Sequence, residues 1–105
     1  MSHATQKAEY RKMMQQKLAA FIKLLEERKV PMGEIDNDYF TIKWPNGLYV
    51  SFGSATINVN QTSSRGTSYG YRFDSPAQAA ETVQLNVDLP ERTPLPRWKL
   101  PQGMR

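Results

Sequence analysis

The sequence predicts an α+β fold: an N-terminal amphipathic helix packed on an antiparallel three- to four-stranded meander sheet, then a short second helix and an extended Pro-rich C-terminal tail. Three observations predict it. No Pro or Gly interrupts the strong helix formers between Thr5 and about Lys29. Apolar residues then alternate with polar ones through Phe40, Ile42 and Trp44, through Leu48, Val50 and Phe52, and through Ala55, Ile57 and Val59. Between these runs stand the turn residues Pro45-Asn46-Gly47 and Gly53-Ser54.

Each element has a local reason. In the first helix Tyr10, Met14, Leu18, Phe21 and Leu25 recur at spacings of four and three, which builds one apolar stripe. Val30-Pro31-Met32-Gly33 stops the helix, because the residue before a proline avoids helical backbone and Gly33 permits a turn. Glu34 to Asp38 reads as an acidic connector. In the meander, a three-residue loop puts Trp44 opposite Leu48 and a two-residue loop puts Phe52 opposite Ala55, so the apolar residues share one face.

Residues 61–68 hold no apolar side chain and read as a mobile loop. Tyr69, Tyr71 and Phe73 alternate with Gly70 and Arg72 as a fourth strand. Ser75 is placed to cap a second helix with Pro76 at its first position, and the alanine-rich run carries that helix to about Leu85. Alternation over Val83, Leu85, Val87 and Leu89 would also allow a short strand there. From Pro90 the chain carries four prolines in twelve residues, which forbids helix and central strand. The expected organisation is a single α+β domain over residues 1–89 and a basic Pro-rich tail over 90–105.

The order helix, strands, helix resembles the double-stranded-RNA-binding domain, which reads duplex RNA by shape. The resemblance covers element order alone. That family opens its second helix with lysines, whereas here the segment reads Ser75-Pro76-Ala77-Gln78-Ala79-Ala80-Glu81.

Composition narrows the function. The chain of 105 residues is 39% hydrophobic and 23% charged, enough for one packed domain with little room for a large cleft. No apolar run approaches a membrane span, and the N-terminus lacks a secretory core, so a cytoplasmic protein that does not enter a membrane is expected. Absence of cysteine excludes thiolate metal sites, cysteine nucleophiles and disulfides. His3 is the single histidine and the carboxylates are scattered, so no catalytic constellation, metal or cofactor is expected. The net charge of +4 sits at the ends: residues 1–29 and 91–105 are basic and the segment between is mildly acidic.

The expected function is therefore non-enzymatic docking onto a protein or nucleoprotein partner. The partner-binding candidates are Tyr39, Lys43 and Tyr49 on the outer sheet face, Arg72 on the fourth strand, Arg65 in the polar loop, and Arg92, Arg97, Trp98 and Lys99 in the tail. Trp98, flanked by two cations, is offered either as a partner contact or as an anchor folding the tail onto the sheet. Such compactness suits an accessory or inhibitory protein of phage or mobile-element type. The alternative is nucleic-acid binding by Lys7, Arg11 and Lys12 on the first helix with the cations of the tail.

Overall fold

A computed structural model describes residues 3–62, 66, 68–90 and 98–101, with side chains from Lys7 onward. Its architecture is α+β: helix α1 (His3–Glu27), strands β1 (Glu34–Asp36), β2 (Thr41–Lys43), β3 (Leu48–Phe52), β4 (Ile57–Thr62) and β5 (Ser68–Phe73), and helix α2 (Pro76–Asn86). All five strands pair antiparallel in chain order, which extends the expected three- to four-stranded sheet. Both helices cover one face. Met14, Leu18, Phe21 and Leu25 of α1 and Ala79, Ala80 and Val83 of α2 are buried with Ile42, Leu48, Val50, Val59 and Phe73 of the sheet.

Helix α1 stops earlier than Pro31 requires. Lys29 adopts φ 58, and the Lys29 and Val30 amides donate to the carbonyls of Glu26 and Leu25, a left-handed cap that buries Val30 against the core. At its other end α1 overhangs the sheet. Residues 7–13 are all exposed, so Tyr10 lies outside the core it was expected to join, 51% exposed.

The added strand is β1, expected as a connector. Glu34 stands across from Lys43, Ile35 across from Ile42 and Asp36 across from Thr41. A turn over residues 37–40 follows. Asp36 Oδ1 accepts from the amides of Asp38 and Tyr39 at 2.9 and 3.0 Å, and Phe40 takes φ 57. The turn delays β2 to Thr41 and leaves Tyr39 at its tip, 79% exposed, rather than on the outer sheet face.

The β2–β3 hairpin has the expected register. Trp44 N donates to Leu48 O at 2.8 Å, and Gly47 takes φ 88. A Cβ at Gly47 would lie 2.6 Å from the Thr62 carbonyl, whereas one at Gly66, φ 81, would meet nothing. Gly47→Val is therefore expected to cost about 3 kcal/mol, against about 1–2 kcal/mol for Gly66→Val, measured by urea unfolding. Equal costs would mean that the close approach to Thr62 is absent.

The next hairpin differs. Its loop is Gly53–Thr56, closed by Gly53 N donating to Thr56 O, so Phe52 pairs with Ile57 and Ala55 is exposed. Gln61 and Thr62 extend β4 and Ser68 begins β5, so both ends of the expected loop are strand, while residues 63–65 and 67 lie outside the described residues. Ser75 Oγ caps α2 by accepting from Gln78 N at 3.3 Å, with Pro76 in the first turn. Since α2 continues to Asn86, the alternation from Val83 is helix followed by turn, not strand.

Candidate docking face

Because strand residues alternate sides, fixing one face of the meander fixes the other. Ile42, Val50, Val59 and Tyr71 form one inward row. The outer face therefore carries two polar rows. One runs Glu34, Lys43, Tyr49, Asn60 and Gly70. The other runs Asp36, Thr41, Ser51, Asn58 and Arg72, with Thr41 placed by continuing the β2–β3 register one residue.

Lys43 and Arg72 are exposed, and Tyr49, Ser51, Asn58 and Asn60 are half-buried among neighbouring side chains. No helix of the described residues packs on this face, since the helical contacts gather around the inward rows. The charges balance, Glu34 and Asp36 on β1 against Lys43 on β2 and Arg72 on β5. Asn60 Oδ1 and the Val59 carbonyl both lean into the space that a Cβ at Gly70 would occupy, so glycine there makes room for them. Thr41 Oγ1 and Asn58 Oδ1 are buried without a hydrogen-bond partner among the described residues. Incomplete pairing of this kind costs about 1–3 kcal/mol per group.

The sequence-derived candidates separate on the structure. Lys43, Tyr49 and Arg72 share the outer face, while Tyr39 projects from the turn beside it. Arg65, Arg92 and Arg97 lie outside the described residues. Lys7 and Lys12 are exposed on the overhang of α1. Arg11 is also exposed but engaged: its guanidinium lies 5.6 Å from the Phe40 ring centroid and 3.7 Å from Asp38.

Trp98 is held within the molecule. Its ring stacks on Tyr71 at 5.7 Å between centroids and meets Tyr69 edge-on at 5.2 Å. The hydroxyls of Tyr69 and Tyr71 lie 2.7 Å apart, and this bond, then burial, then the charge of Tyr71, pushes the Tyr69 hydroxyl above its ordinary range. The Asn86 amide donates to Lys99 O and accepts from Lys99 N, both at 2.7 Å, and Pro101 is fully buried. Trp98→Ala is expected to lower stability by about 2 kcal/mol through lost burial and aromatic contact, measured by chemical denaturation. A change within about 0.5 kcal/mol would contradict the docked ring.

Sequence reasoning missed a buried polar hub behind this segment. Asn46 Nδ2 lies 3.1 to 3.4 Å from the carbonyls of Asn86, Val87 and Leu89 at the end of α2, while its Oδ1 accepts from Leu48 N at 3.1 Å. Gln61 Nε2 donates to Asn46 O at 3.0 Å. Thus one amide joins the β2–β3 turn to the end of α2, and Asn86 joins that end to the tail.

Other surfaces offer less chemistry. A largely apolar recess of about 250 Å³ lies between α1 and the β3–β4 hairpin, lined by Phe21, Leu24, Phe52 and Ile57, with Lys17 and Asp74 at its edge. Lys17 Nζ donates there to the carbonyls of Gly53 and Ser54. Among the described residues no three His, Asp or Glu side chains gather as a metal site needs, and no helix is long and apolar enough to cross a membrane. No family model, curated protein or solved structure matches the chain.

Proposed function

We propose that this chain is a small non-enzymatic binding protein, of accessory or inhibitory kind, that docks through its outer sheet face onto a protein or the protein surface of a nucleoprotein assembly. The observation that carries this reading is the division of labour in the sheet. Its inner face is occupied by α1, α2 and Trp98, while its outer face presents polar rows five strands wide with no helix of the described residues over them. Tyr49 supplies rigid contact area there, Asn58 and Asn60 supply adaptable amides, and Arg72 supplies a fork of donors. Balanced charge on this face gives a polyanion no net attraction and favours a partner read by shape and hydrogen bonds.

Capture from a host extract tests it. Wild type and the Tyr49→Ala/Arg72→Ala variant, matched in melting temperature, are compared with and without nuclease. The expected result is a protein that survives nuclease with wild type and is lost with the variant. Equal recovery with both would end the proposal.

The second reading, nucleic-acid binding, is supported by the overhang of α1, where Lys7 and Lys12 are exposed beyond the sheet. It predicts a steep salt dependence: three phosphate contacts alone lose roughly fortyfold in affinity for a fourfold rise in salt. Binding that is insensitive to salt would remove it.

A further inference from the structure

We propose that the partner for which the outer face is built is a second copy of this chain, an inference that rests on reading that face as a docking surface. The row Asp36, Thr41, Ser51, Asn58, Arg72 has an anion at one end, a cation at the other and a small hydroxyl in the middle. A twofold axis running along β3, with two outer faces opposed, reverses this row over itself. Asp36 then comes over the other copy's Arg72, Thr41 over its Asn58, and Ser51 over its Ser51. Thr41 Oγ1 and Asn58 Oδ1 lack a hydrogen-bond partner among the described residues and lie buried under their neighbours; once both side chains turn outward, a hydroxyl donor faces an amide acceptor across the axis.

The second row obeys the same operation. Glu34 and Lys43 come over the other copy's β5 and β4, where the Asn60 amide leans across Gly70, and the two Tyr49 rings meet beside the axis. Only an axis along the strands gives this result, since one across them would set Asp36 on Asp36 and Arg72 on Arg72. Sheet twist does not oppose it, because a uniformly twisted surface coincides with itself under such an axis.

Within one chain Asp36 and Arg72 stand about four strand spacings apart, roughly 19 Å, so they cannot neutralise each other internally. Across the axis they form two equivalent ion pairs. The face measures roughly 400 Å² in each copy from strand spacing and length, which places the contact below standard interfaces and makes the expected dimer a weak one.

Sedimentation of the full chain from about 1 to about 500 µM tests this, the range being set by the small area. Wild type is expected to double in mass, and Arg72→Glu alone or Asp36→Arg alone to weaken the dimer by roughly tenfold or more through like-charge contact. Mixing these two variants should restore a heterodimer, because one Asp36–Arg72 pair is kept and the other is rebuilt with its signs exchanged. Asp36 also accepts two turn amides, so Asp36→Arg can fail to fold. Ser51→Arg, on the axis and clear of that turn, is then expected to dissociate the dimer by itself.

A wild type that stays monomeric throughout, or a dimer indifferent to both Arg72→Glu and Ser51→Arg, overturns the inference. If the monomer still captures a protein that Tyr49→Ala/Arg72→Ala loses, the docking face stands and only the identity of its partner falls. If that capture also fails, both fall.

Discussion

Phe21→Ala is expected to lower the unfolding free energy by about 3–5 kcal/mol, the range for removing a fully buried aromatic ring and leaving part of its cavity. Phe21 is 1% exposed and meets Phe52 edge to face at 5.8 Å between centroids, so it ties α1 to the third strand. Urea unfolding measures the loss. Phe52→Ala should cost less, because that ring borders the recess beside α1 and is only half-buried. A smaller loss at Phe21 than at Phe52 would mean that α1 does not lie on the sheet as described.

Asn46→Ala is expected to cost about 3 kcal/mol, although it removes no apolar surface of consequence. It withdraws the donor from the carbonyls at the end of α2 and the acceptor from Leu48 N, in a residue 6% exposed. Asn46→Asp separates the two roles, since it keeps the acceptor for Leu48 N and turns a carboxylate oxygen towards the carbonyls. Repulsion and burial raise the folded-state pKa of such a carboxyl above its unfolded value. The penalty is therefore present at neutral pH and shrinks as pH falls through that raised pKa, where the protonated form can donate. A loss within about 0.5 kcal/mol for Asn46→Ala would show that the hub contributes nothing specific.

Legibility of the fold in the sequence varied with how local the deciding interaction was. Pro45-Asn46-Gly47 placed Trp44 opposite Leu48 because the loop itself sets that register. At Gly53-Ser54 the turn signal was ambiguous, and the four-residue loop moved the register by two. An even shift keeps every side chain on its face, so Ile57 and Val59 still point inward. Strand β1 was hidden because Glu34-Ile35-Asp36 has one apolar residue and gains its order from pairing with β2. Asn46, Gln61 and Asn86 were hidden for a different reason. Polar residues read as surface from sequence, and their burial depends on partners 13 to 43 residues away. The outer face was partly legible: Lys43, Tyr49 and Arg72 follow from strand alternation, whereas the charge reversal along its rows needs Asp36 and hence β1.

The central claim is that the outer face of the sheet is where this protein meets its partner, and hydroxyl-radical footprinting of the partner-bound protein tests it most directly. Tyr49 lies near the middle of that face, whereas Tyr10 and Met13 lie on the overhang of α1. The expected result is slowed oxidation of Tyr49 on binding, with Tyr10 and Met13 oxidised at their free rates. Protection of Tyr10 and Met13 while Tyr49 keeps its free rate would contradict the account and place the partner on the helix.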